Sequence, residues 1–113
     1  MQSSNKPPFS EASPTSIKQR LDAGEQLLIV DVREPYEYQI AHIEGSELRP
    51  MSRIQEWWQE LPRDQEVIVM CHHGGRSANV CMALSRAGFT QLTNMTGGID
   101  AWTAEVDPSV PRY

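Results

Sequence analysis

Hydrophobic positions along this chain fall into two alternating rhythms. Near-continuous apolar runs, Leu27-Leu28-Ile29-Val30-Asp31-Val32 and Val67-Ile68-Val69-Met70, read as strands covered on both faces, the form strands take in a parallel sheet. Between them apolar residues recur at helical spacing: Ile17 and Leu21 within 14–23, and Ile54, Trp57, Trp58 and Leu61 within 52–61. Punctuation agrees with both rhythms. Ser13 before Pro14 is a helix entry, Gly24 closes that segment, Pro62 ends the Trp-bearing one, and Gly88 stops a helical stretch over 77–87. Pro35 opens a short helical turn to about Gln39, short strands are predicted at 47–48 and 91–94, and a last helix at 99–105. Strands alternating with helices predict an α/β fold on a largely parallel sheet.

Composition narrows this little, because 39% hydrophobic and 22% charged residues in 113 are ordinary for a single water-soluble domain. The Ser/Pro-rich start predicts a flexible tail over 1–8, a domain over 9–105, and an extended C-terminal tail over 106–113, where Pro108 and Pro111 forbid helix. Val110 or Tyr113 of that tail is expected to pack back on the domain. No apolar run approaches the roughly 18 residues of a membrane helix, and residues 1–8 lack the apolar core of a secretory signal. The expectation is a cytoplasmic, monomeric protein without membrane contact. A net charge of −5 with no Lys/Arg cluster argues against nucleic acid.

The candidate chemistry lies where the second apolar run ends, at Cys71-His72-His73-Gly74-Gly75-Arg76-Ser77. A cysteine at a strand-to-helix turn meets backbone N–H groups and the positive end of the helix dipole, which favour a thiolate. His72, His73 and Arg76 add local positive character suited to a small anion. Cys71 is therefore the candidate nucleophile, and residues His72, His73, Gly74, Gly75, Arg76 and Ser77 its anion-binding loop. Arg76 either grips an anion or pairs with a carboxylate such as Asp31 to brace the loop, its place at the loop's end favouring the brace. Asp31 and Arg33, at the end of the first strand, either support the site as an ion pair or touch substrate. Adjacent histidines do not make a spaced ligand set, so no metal is expected. Cys81 is expected on the buried face of the helix with Val80 and Leu84, the alternative being a thiol that resolves oxidised Cys71. His42 is expected to be a hydrogen-bonded structural histidine. Of adjacent Trp57 and Trp58 only one can face inward, leaving the other for the rim of a cleft.

Four ordered segments resemble the rhodanese family of sulfurtransferases in its single-domain form. They are Asp31-Val32-Arg33-Glu34-Pro35-Tyr36-Glu37-Tyr38, His42-Ile43-Glu44-Gly45-Ser46, the Cys71 to Ser77 loop, and Gly97-Gly98-Ile99-Asp100-Ala101-Trp102. The resemblance implies a rhodanese-like α/β fold, a five-stranded mostly parallel sheet flanked by helices on both faces. It also implies thiosulfate sulfurtransferase activity without a cofactor. Cys71 matches the cysteine that takes sulfane sulfur as a persulfide and yields it to cyanide, a small thiol or a thiol-bearing protein. Ala41 replaces the commoner glycine before His42, and His72 and His73 stand where many relatives carry arginine or lysine. Two other readings bear on the same loop. Cysteine-loop phosphatases and arsenate reductases place five residues between cysteine and arginine, whereas four separate Cys71 from Arg76, a ring sized for one sulfur atom. Non-enzymatic rhodanese-like binding or regulatory modules generally lack the cysteine, and a related alternative is that Cys71 carries sulfur to a dedicated partner.

Overall fold

The computed structural model describes residues 7–113, so most of the expected N-terminal tail, residues 1–6, lies outside the described residues. Five strands, β1 (Ser10–Ala12), β2 (Leu28–Asp31), β3 (Glu47–Leu48), β4 (Val67–Met70) and β5 (Leu92–Met95), form one sheet in the order β1-β5-β4-β2-β3. Every pairing is parallel. The helices are α1 (Pro14–Asp22), α2 (Pro35–Ile40), α3 (Ile54–Trp57), α4 (Gly75–Arg86) and α5 (Gly98–Glu105).

Alternation along the two central strands sorts their side chains between two cores. Val30 of β2 and Val67 and Val69 of β4 face a cluster with Val80, Cys81 and Leu84 of α4, while Ile29, Ile68 and Met70 face Ile17 of α1 and Ile99 and Trp102 of α5. Continuing the period from Val67 and Val69 puts Cys71 on the α4 side. The strand therefore delivers its sulfur to the face where α4 begins.

Four departures from the sequence reading have physical reasons. β1 is missed because Ser-Glu-Ala has neither an apolar run nor alternation, and it is defined by its ladder with β5. The helix read over 52–61 is three short pieces, α3 between 3-10 turns at Met51–Arg53 and Trp58–Glu60. It is tethered early, Met51 N donating to Val32 O and Trp57 Nε1 to Pro50 O, and Pro62 limits its far end. The helix read from Ser77 begins two residues earlier, because Gly74 adopts φ of 105°, a left-handed N-cap open to glycine. The tail 106–113 is not extended throughout, since Val110 N bonds Asp107 O in a turn before the chain straightens toward Tyr113.

Candidate active site

Strand β4 ends at Met70 and α4 begins at Gly75, so the loop between them closes tightly around Cys71. Cys71 Sγ receives Gly74 N at 3.1 Å and Ser77 N at 3.3 Å, and the Ser77 hydroxyl lies at 3.4 Å. These are amides at the first turn of a twelve-residue helix, oriented to favour negative charge at sulfur. The Ser77 hydroxyl has one hydrogen, and its shortest contact is Asn94 Oδ1 in β5. Towards sulfur it is therefore free to accept the proton of a neutral thiol. Asn94 Nδ2 in turn donates to Gly74 O at 3.3 Å, fixing the residue whose amide meets Sγ.

The loop is held from below by α5. Ile99 N donates to Cys71 O at 2.9 Å and Asp100 N to His72 O at 3.1 Å. A Cβ at Gly98 would overlap both of those carbonyl groups. Gly98 is thus a close-approach glycine as well as one with positive φ.

The carboxylate that braces Arg76 is Glu37, not Asp31. The guanidinium forks onto Glu37, Nη1 to Oε1 at 2.6 Å and Nη2 to Oε2 at 2.8 Å. Asp31 is committed elsewhere, accepting from the Arg33 backbone N, from its Nε and from its Nη2, with both side chains fully buried. Arg33 uses its other donors on Ala41 O, Glu37 O and the Tyr113 hydroxyl. All five of its N–H groups are occupied, so none is left for a ligand. Asp31 and Arg33 thus form a fully buried pair whose bonds stay within the protein.

Charge at the loop differs from the sequence reading as well. The Glu37 carboxyl is held down at about 2, chiefly by its bonds to Arg76 against the opposing effect of burial, and Arg76 is correspondingly pushed up. That pair is neutral as a unit. Burial, reinforced by the neighbouring His73, pushes the His72 imidazole down, so it is predominantly neutral near pH 7. Of the positive character expected at this loop, that of Arg76 is paired with Glu37 and that of His72 is reduced by burial, while the amides of Gly74 and Ser77 point at the sulfur.

His72, His73 and Asp100 bring potential ligand atoms within 4.8 Å of one another. The two rings, however, are stacked with centroids 3.9 Å apart and planes inclined by 28°. Imidazole lone pairs lie in the ring plane, so stacked rings do not aim at one ion, and the Asp100 carboxylate already holds Arg112 at 3.1 Å. As arranged, the cluster is an aromatic stack. His42 lies stacked on Tyr38 at 4.3 Å, with Nδ1 3.3 Å from the Tyr38 carbonyl, in keeping with a structural role. Trp57 is buried; Trp58 shares a groove with Ala83, Leu84 and Ala87 at the far end of α4, so neither lines the Cys71 loop. Cys81 is wholly buried with Val80 and Leu84, the environment of a core residue, and desolvation pushes its thiol up to about 12.

Three participants were not selected from sequence. Asn94 is a polar residue at the third position of a strand whose four positions are all buried. Glu37 lay within a family segment but was not distinguished from its acidic neighbours. Tyr113 had no sequence signal beyond an expectation of packing, and its partners Arg33, Glu37 and His72 come from three separate segments.

A family model described as rhodanese-like domain matches residues 13–105. The chain is 36% identical to the thiosulfate sulfurtransferase GlpE of Pseudoalteromonas translucida, covering 92% of this chain and 98% of that protein. It is 37% identical to the probable adenylyltransferase/sulfurtransferase MoeZ of Mycobacterium tuberculosis over 92% of this chain, but spans only 27% of MoeZ. Among solved structures, the SSP1007 protein of Staphylococcus saprophyticus superposes with a TM-score of 0.80 at 26% identity, covering 92% of this chain and all of that one.

Proposed function

The chain belongs to the family of rhodanese-like domains, and on that premise we propose that it transfers sulfane sulfur from thiosulfate through a persulfide on Cys71. Single-domain relatives of matching length bear sulfurtransferase names, which supports sulfur transfer as the general activity. The observation that carries the specific reading is the convergence of Gly74 N and Ser77 N on one sulfur atom. The Cys71 thiolate attacks the outer sulfur of thiosulfate, the S–S bond to the sulfonate breaks, and sulfite leaves with that electron pair. The persulfide then carries the negative charge on its terminal sulfur. Cyanide or an acceptor thiolate attacks that sulfur, forming thiocyanate or a new persulfide and returning Cys71 as thiolate. The loop amides stabilise charge at sulfur throughout.

Arg76 acts as the loop's brace in this scheme, because its two-point bond to Glu37 turns the guanidinium aside from the amide ring. The same fact weighs against oxyanion hydrolysis, which needs an arginine facing the cradle. The test is intact mass spectrometry after incubation with thiosulfate. Expected is a gain of about one sulfur mass on Cys71, removed by cyanide and absent in C71S. No adduct would sink the thiosulfate reading, and an adduct formed only with 3-mercaptopyruvate would replace the donor.

A further inference from the structure

The last eight residues fold back over the site along a defined route. Val106 and Val110 rest on the core between α1 and α5, and Arg112 forks onto the Asp100 carboxylate at the first turn of α5. That places the Tyr113 ring flat on His72, centroids 4.0 Å apart and planes 4° from parallel. The Tyr113 hydroxyl accepts from Arg33 Nη1 at 2.7 Å and donates to Glu37 Oε2 at 2.8 Å.

The Glu37 carboxylate is saturated by this arrangement. Oε1 takes Arg76 Nη1 and the Glu34 backbone N, while Oε2 takes Arg76 Nη2 and Tyr113. Two donors on each oxygen fill its acceptor capacity and fix its rotation. With Arg33 saturated as well, the hydroxyl is the link between a rigid buried arginine and the carboxylate that carries the loop. We propose that Tyr113 is a positioning residue for the Cys71 loop, its hydroxyl fixing the Glu37 carboxylate that holds Arg76 and its ring holding His72. One side chain from the C-terminal segment thereby controls two residues of the sulfur cradle.

Burial pushes the Tyr113 phenol up to about 12, so the hydroxyl remains a donor to Glu37 across the working pH range. The ring also screens His72 from water, adding to the burial that keeps the imidazole neutral beside Cys71. The inference deepens the sulfur-transfer reading and rests on it only for its kinetic consequence.

The test is Y113F, which keeps the stacked ring and removes both hydroxyl bonds. Expected is movement of the Gly74 and Ser77 amide resonances in a 15N correlation spectrum, the two amides that meet Cys71 Sγ. The ring-current source is retained in Y113F, so such movement reports loop geometry. For thiosulfate turnover, kcat falls by about tenfold with KM changing less, the split expected of a displaced loop. Amides that stay in place, with kcat and KM unchanged while only the melting temperature drops, would reduce Tyr113 to packing and overturn the proposal. If the unsubstituted protein does not use thiosulfate, the donor reading fails and the amide measurement decides this inference alone.

Discussion

Cys71 and Cys81 sit ten residues apart in one strand–loop–helix unit and are almost equally buried, at 1% and 0% exposure. Their chemistry nevertheless diverges. Cys81 is surrounded by Val80, Leu84 and the rest of an apolar cluster, where nothing compensates a charge, and its thiol is pushed up to about 12. Cys71 is surrounded by N–H groups at the head of α4 that have no other partner within the helix. Depth therefore says little about a thiol's reactivity; the orientation of nearby dipoles decides it.

The contrast breaks most visibly on direct substitution. C71A is expected to lower sulfur-transfer kcat/KM by at least about a thousandfold, as loss of a nucleophile does, with the fold retained by circular dichroism. Measurable transfer through Cys81 in that variant would end the distinction between the two sites.

An intermediate effect is expected when the brace is loosened and the sulfur left in place. E37Q removes the charge that holds Arg76, and kcat/KM should fall about tenfold through misplacement of the loop. The same variant carries a pH signature. Glu37 falls from 4.5 to about 2 on folding, so its pairing stabilises the protein above pH 4.5 and is lost as pH drops toward 2. The shift corresponds to at most roughly 3 kcal/mol. Denaturant titrations between pH 5 and 2 should show a shallower acid loss in E37Q than in the unsubstituted protein; parallel curves would show that Glu37 is not a principal titrating group.

The smallest effect belongs to Cys81. C81A should cost about 1 kcal/mol or less in stability and leave kcat/KM within about twofold, since a small hydrophobe is trimmed within an apolar cluster. In the native fold Cys81 should resist iodoacetamide at pH 8 while Cys71 is modified. Faster labelling of Cys81 than of Cys71 would invert the comparison.

Much of this frame was legible without coordinates. The apolar runs around Ile29 and Ile68 determined two central parallel strands, because a strand buried on both faces must be apolar at successive positions. The break from Met70 through Gly74 and Gly75 into a helical stretch determined that Cys71 would sit at a helix N-terminus. Both are local signals, written in consecutive residues.

What the fold alone decided are pairings between residues distant in the chain. Sequence offered Asp31 for Arg76, but Asp31 lies two residues from Arg33, whose backbone and guanidinium capture it, leaving Arg76 to Glu37. It suggested a positive loop, but Glu37 pairs with Arg76 and burial disfavours charge on His72. Tyr113 reaches the site across 76 positions from Glu37 and 80 from Arg33. By itself the chain determined that a thiol would meet helix dipoles, since strand period and helix start are short-range. Which side chains hold that meeting in place depends on hydrogen-bond capacity shared among elements, and packing distributes that capacity only once the chain has closed.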